Sequence, residues 1–295
     1  MRNQLGVHAG VWIGSWTPET IRIAVAKTVA AGYDLIEVTA TDVASIDADA
    51  LASEIQRAGL SCSVSMGLTF DADVSSEDPQ VRARGEARLR DALQLAHTLG
   101  ATRLAGVLYS ALGKYPRPAS ERSWRNSAAA IRDLAGEARA VGVGLCLEVV
   151  NRYETNLFNE VFGGLRFLDE VGEDDVLLHL DTYHMNIEEP DFVLPVTAAG
   201  DRLGYVHVGE SHRGYVGSGN IRWTEFFRAL RSVDYSGPIT FESFSTTVVD
   251  PALSNTLAVW RNLWDDNEDL AQHARASIAA HLAAADRAAA PGRSQ

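Results

Sequence analysis

Four ionisable side chains interrupt apolar runs in the second half of this sequence, each at or near the end of its run. Glu148 follows Leu145-Cys146-Leu147, Asp181 follows His179-Leu180, His207 stands between Val206 and Val208, and Glu242 follows Thr240-Phe241. Carboxylates are almost never fully buried unless they are paired or hold a metal. A single one is readily neutralised by an arginine; four in consecutive runs are harder to explain in that way. Three carboxylates and one imidazole make a hard, oxygen-rich donor set, which suits Mn2+, Mg2+ or Co2+ better than a thiolate-seeking metal. A buried salt-bridge network is the competing reading.

These residues need elements that bring them together. Eight short apolar runs, at about 6–12, 35–38, 61–66, 103–109, 144–150, 176–181, 203–208 and 239–244, read as strands. Helical patterns fall between them, at 19–32, 47–58, 83–98, 122–140, 163–171 and 223–232, several stopping just before a glycine. Runs as continuously apolar as Leu145 to Val150 suit parallel strands covered by helices. No GxGxxG opens a helix after the first strand, which argues against a doubly wound open sheet. The pattern predicts an α/β fold: a single (β/α)8 TIM barrel over residues 1–287, with an additional long C-terminal helix near 255–285. A frayed tail is expected from Ala288 to Gln295. In such a barrel, groups at the C-terminal ends of strands share one mouth.

Composition narrows the partners. The 295 residues are 46% hydrophobic, and 26 basic against 39 acidic residues leave a net charge of −13. Such a field repels polyanions, so no nucleic acid or anionic membrane partner is expected, and a neutral small molecule fits better. No run approaches the roughly 18 apolar residues of a membrane span, and the polar N-terminus does not read as a signal peptide. Cys62 and Cys146 lie in apolar runs without metal-ligand spacing, so they read as reduced core residues of a soluble, cytoplasmic protein. No glycine-rich loop leads into a lysine, so the substrate is expected to lack a phosphate.

The segments Glu148-Val149-Val150-Asn151-Arg152-Tyr153-Glu154-Thr155 and Leu180-Asp181-Thr182-Tyr183-His184-Met185-Asn186 carry a resemblance. With His207, Arg213 six residues on, and Thr240-Phe241-Glu242-Ser243, the chain resembles the ketose 3-epimerases (tagatose, allulose and ribulose 3-epimerases) of the xylose isomerase-like superfamily. That resemblance implies Glu148, Asp181, His207 and Glu242 as ligands of one divalent ion per subunit, Mn2+ foremost. Glu148 and Glu242 would double as the acid/base pair, and Glu154, His184 and Arg213 would hold oxygens around the carbonyl end of a ketose. The chemistry is coherent. A cation on O2 and O3 acidifies the C3 proton and stabilises an enediolate, and two carboxylates on opposite faces remove and return that proton. A homodimer or homotetramer is also implied, with Trp260 and Trp264 compatible with an interface.

At the far end of the sugar, His8 stands where members of that family carry an aromatic residue. Trp12 and Trp16 offer apolar walls, with core packing as the alternative. Met66 and Leu108, ending the third and fourth strands, are candidates for shaping the pocket. The loop from Ser110 to Pro118 reads as a lid or a subunit contact. His179 reads as a satisfied barrel residue, and Glu210 as a loop residue beyond its strand. An aldose–ketose isomerase or an inosose-type dehydratase would use the same scaffold and cation, and a sugar-binding protein without catalysis is a further class.

Overall fold

Each of the eight apolar runs forms a strand, and every strand pairs in parallel with the next. The structure, a computed structural model, describes residues 3–248 and 251–289. In chain order the elements are β1 (Leu5–His8), α1 (Pro18–Ala30), β2 (Leu35–Thr39), α2 (Ala48–Ala58), β3 (Ser61–Leu68) and α3 (Pro79–Thr98). Then come β4 (Arg103–Ala111), α4 (Glu121–Val141), β5 (Gly144–Val149), α5 (Val161–Val171), β6 (Val176–Asp181) and α6 (Thr182–Glu188). The chain continues through α7 (Leu194–Ala199), β7 (Leu203–Val208), α8 (Trp223–Ser232), β8 (Ile239–Phe241), α9 (Pro251–Thr256) and α10 (Asn267–Ala289). β1 closes the barrel on β8, with Leu5 opposite Ile239 and Val7 opposite Phe241.

Local chemistry explains the boundaries. Thr17 and Thr20 form a reciprocal capping box that spans Pro18 at the start of α1, and Ser120 and Glu160 cap α4 and α5. α4 and α5 end at Gly142 and Gly172, both left-handed, where a side chain would be strained. α8 buries Trp223, Phe226, Phe227 and Leu230 against the barrel and leaves its charged residues outside.

The structure amends several boundaries. β1 stops at His8, because the His8 ring accepts the Gly10 amide and starts a short 3-10 turn over Ala9–Val11. The long C-terminal helix is present but begins at Asn267 rather than near 255. Ala258 is left-handed (φ 54°), and Asp266 caps the new helix by accepting the amides of Glu268 and Asp269 at 2.9 and 3.0 Å. Trp260 and Trp264 therefore precede that helix instead of lying on it. α10 packs beside α8 and is tied to α1 by Lys27 with Glu268, filling the last place in the outer ring. It runs through Ala289, and the rest of the expected tail lies outside the described residues. The two short helices α6 and α7 were not anticipated.

Alternation along the strands separates two interiors. One face packs against the helices and forms the main apolar core. The other lines the barrel axis, where Ala105, Cys146 and Tyr205 cluster with Leu177. Above them the Tyr205 hydroxyl meets Ser63, Thr240 and Glu37 at 2.6, 2.7 and 2.6 Å. The axis thus becomes steadily more polar toward the C-terminal mouth.

Candidate active site

The mouth holds a cavity of about 400 Å3 bordered by His8, Thr39, Met66, Glu148, Glu154, His184, His207, Arg213 and Glu242. β5, β6, β7 and β8 bring in Glu148, Asp181, His207 and Glu242, all with less than a tenth of their surface exposed. Asp181 sits beneath the floor, fully buried. His207 is the hub. Its Nε2 meets Glu37 Oε2 at 2.8 Å, while its Nδ1 has no hydrogen-bond partner and lies 3.8 Å from Glu148 Oε1 and 3.6 Å from Glu242 Oε1. A carboxylate that holds one ring nitrogen fixes the tautomer and frees the other nitrogen to bind a cation.

Ligand atoms of Asp181, His207 and Glu242 lie within 4.8 Å of one another, as do those of Glu148, Asp181 and His184. Arg213 pairs with one oxygen of Glu242 at short range and with Asp181 Oδ2 at 3.1 Å. Arg213, even together with a protonated His207, does not balance the charge of Glu37, Glu148, Glu154, Asp181 and Glu242. An orphaned buried Nδ1, a surplus of carboxylates and a hard donor set together fit a divalent cation.

The electrostatics express the same crowding. Burial pushes the Glu148 carboxyl well above the usual carboxylate range, and repulsion from Glu242 and Asp181 adds to it. Burial also raises Asp181, against the pull of Arg213, and raises Glu154 to about 7. Glu242 goes the other way: burial opposes its ionisation, but Arg213 and His207 outweigh it and lower its pKa. For His207, burial is outweighed by Glu37 and Glu242, which raise it to about 10. Burial leaves His184 well below its ordinary value and therefore neutral. The Asn151 backbone amide donates to His184 Nδ1 at 3.2 Å, so the ring proton is on Nε2. That Nε2 faces Glu148, Asp181 and Glu154 at 3.6, 3.6 and 3.8 Å.

Arg213 is held in an unusual way. Its backbone is left-handed (φ 64°), and its guanidinium lies 3.9 Å from the Tyr183 ring centroid. Glu210 organises the loop that presents it. This fully buried carboxylate accepts the amides of Ser211 and Gly217, both at 2.8 Å, and the Trp223 indole N–H at 3.2 Å. The Glu210 carbonyl in turn accepts the Arg213 amide at 2.8 Å. Glu210 lies beyond its strand, as expected, but it is the anchor of the loop. Glu210→Ala is expected to leave these buried donors unpaired and cost about 2–4 kcal/mol, with faster proteolysis between 211 and 222. A wild-type melting point and cleavage pattern would remove this role.

Other predicted positions separate. Met66 borders the cavity, as does Val107, whereas Leu108 is fully buried in the main core and does not. Strand alternation turns the neighbour inward in its place. Trp12 is core, its indole N–H bonded to Thr28 Oγ1 at 3.0 Å. Trp16 does not border the cavity either; it donates to the Thr39 carbonyl at 3.2 Å. His179 is inside the barrel, edge-on to His207 and Tyr205, but neither ring nitrogen has a hydrogen-bond partner, so it is not satisfied as expected. After β4, Tyr115 donates to Asp73 Oδ2 at 2.6 Å and Gly113 to the Glu154 carbonyl at 2.8 Å, which pins that loop to the mouth. Glu37 was missed. Its signal was present: Leu35-Ile36-Glu37-Val38 places a carboxylate inside an apolar run, as the later strands do.

Comparison with known proteins agrees with this architecture. Residues 25–281 match the family model of the xylose isomerase-like TIM barrel. The chain is 53% identical to the L-ribulose 3-epimerase of Methylomonas sp. (strain DH-1), over 92% of this chain and 94% of that one. It is 47% identical to the ketose 3-epimerase of Arthrobacter globiformis, over 95% and 97%. A crystal structure of the D-allulose 3-epimerase from Methylomonas sp., in complex with D-allulose, superposes with a TM-score of 0.93 at 51% identity, covering 95% of this chain and 97% of that one. By barrel and by sequence, the chain belongs to the ketose 3-epimerase family of xylose isomerase-like TIM barrels.

Proposed function

We propose that the protein epimerises an unphosphorylated ketose at C3, using one divalent cation and two glutamates. The observation that carries this reading is the approach of Glu148 and Glu242 to the unpartnered Nδ1 of His207 at the floor of one cavity, with Asp181 grouped beside His207 and Glu242 just beneath it. Glu148, Asp181, His207 and Glu242 hold the cation, with Mn2+ the best match to the donor set and Co2+ or Mg2+ next. When bound, the cation polarises the C2 carbonyl and so acidifies the proton on C3.

Glu148 and Glu242 reach the cavity from β5 and β8, on either side of His207. One takes the C3 proton from its face of the sugar and the other returns a proton to the opposite face, exchanging roles with the direction of reaction. His184 offers Nε2–H to a substrate oxygen, Arg213 donates to oxygen on which charge develops, and Glu154 accepts from a hydroxyl. Met66 shapes the far wall. The cavity lies within the usual range for a small-molecule site, and the solved relative in complex with D-allulose supports a free ketose as the substrate class.

Action in the cytoplasm is supported by two buried free cysteines, Cys62 and Cys146. Among the described residues no helix is long and apolar enough to cross a membrane. A homodimer or homotetramer belongs to the same reading; Trp260 is exposed and compatible with a contact, whereas Trp264 is buried.

Incubation with Mn2+ and fructose, tagatose, ribulose or xylulose, with products separated by chromatography, tests the reading. The C3 epimer is expected from at least one ketose. An aldose alone, or a dehydrated product, would overturn it.

A further inference from the structure

His8 caps the short turn after β1, and the Gly10 amide donates to its Nδ1 at 3.1 Å. A backbone N–H has only a proton to give, so Nδ1 is a bare lone pair and the ring carries its one proton on Nε2. That Nε2 lies 2.9 Å from Thr39 Oγ1 and 4.0 Å from Glu37 Oε1. The shorter contact is therefore the imidazole N–H donating to the threonine hydroxyl, whose own hydrogen remains to be given. Thr39 borders the cavity, and the Trp16 indole N–H holds its carbonyl at 3.2 Å. β1 and β2 lie across the closed barrel from β5 and β6, which bring in Glu154 and His184.

We propose that Thr39, oriented by His8, is a directed hydrogen-bond donor that recognises a hydroxyl of the ketose chain beyond C3. The assignment rests on the reading that a ketose occupies this cavity. With the carbonyl end held by Glu154, His184 and Arg213, the tail of the sugar extends toward β1 and β2. A hydroxyl that already accepts from His8 keeps its one hydrogen to give, and so discriminates: it rewards a sugar oxygen that accepts, and it meets an apolar C–H in that place with an unpaired donor.

Calorimetric dissociation constants on the Mn2+-loaded protein, for a ketohexose and its 4-, 5- and 6-deoxy analogues, test the proposal. Thr39→Val is expected to weaken ketohexose binding about two- to twelvefold, with kcat nearly unchanged, the signature of binding lost equally from ground and transition states. One deoxy analogue should bind the wild type and the valine variant alike, and Thr39→Ser should restore the loss. No weakening, or equal weakening for every analogue, overturns the proposal. Ring 15N shifts of His8, assigned by their disappearance in His8→Phe, should show a protonated Nε2 and a bare Nδ1; the opposite tautomer also overturns it. Wild-type protein that binds ketoses without exchanging the C3 proton would refute the epimerase assignment alone, and the dissociation constants would still decide the role of Thr39.

Discussion

Glu148→Gln and Glu242→Gln are each expected to slow C3 epimerisation by about 10^2–10^4-fold, the range for loss of a positioned acid/base group. Gln keeps the shape and one acceptor oxygen but neither takes nor returns a proton at the operating pH. In the proposed mechanism the two glutamates serve opposite faces, so a variant that keeps one of them should still exchange the C3 hydrogen of one epimer. In D2O, therefore, each single variant should wash deuterium into one epimer only, and the two variants should choose different epimers. Equal exchange of both epimers by either variant would end the two-base assignment.

Stability should separate the same two substitutions. Burial favours the neutral form of Glu148, so an uncharged amide there costs little in the metal-depleted protein. Glu242 instead shares Arg213 with Asp181, and its removal as a charge leaves a buried guanidinium under-paired. Glu242→Gln should melt lower than Glu148→Gln when both are measured in chelator.

Removing the cation with a chelator is expected to abolish turnover and to make stability fall as pH rises. The folded metal-depleted protein holds Glu148 and Asp181 raised, Glu154 at about 7 rather than 4.5, and His207 at about 10 rather than 6.5. Stability from raised groups is full below the unfolded pKa and is lost as pH climbs through the folded one. His8 and His184 are shifted down, as are Glu37 and Glu242, so their contributions are lost only on acidification. Between about pH 7 and about pH 9 the raised groups of the site decide its slope, and one proton held by His207 is worth about 1.4 kcal/mol per pH unit. The chelated protein should melt a few degrees lower at the upper end of that window. In the proposed site Mn2+ would take the place of the His207 proton, and the loaded protein should show little of this slope. A melting point that rises with pH in chelator, or turnover that survives it, would contradict the site as assigned.

Much of this was legible from residue order. A carboxylate or imidazole inside an apolar run costs too much to bury without a purpose, so Glu148, Asp181, His207 and Glu242 stood out against their neighbours. The eight-fold alternation of runs was equally plain, since parallel strands buried on both faces read as continuous apolar stretches. Glu37 carried the same signal in a shorter run and was passed over. Leu108 falls outside the cavity because facing depends on alternation and on the local distortion of β4, where Gly106 is left-handed (φ 108°) and lies so close to Met66 that a side chain would not fit; Trp16 falls outside it because it stands in the loop after β1, where no period indicates facing and its indole is drawn to the Thr39 carbonyl.

Strand order and the four ionisable groups that end β5 to β8 were thus determined by the sequence alone, because hydrophobic period and burial cost are properties of neighbouring residues. Partnership was decided only by the tertiary structure. Glu37 meets His207 across 170 positions, His8 meets Thr39 from the next strand, and Glu210 gathers the amides of Ser211 and Gly217 within its loop. Which nitrogen of an imidazole keeps its proton depends on such contacts, and they exist only once the barrel has closed.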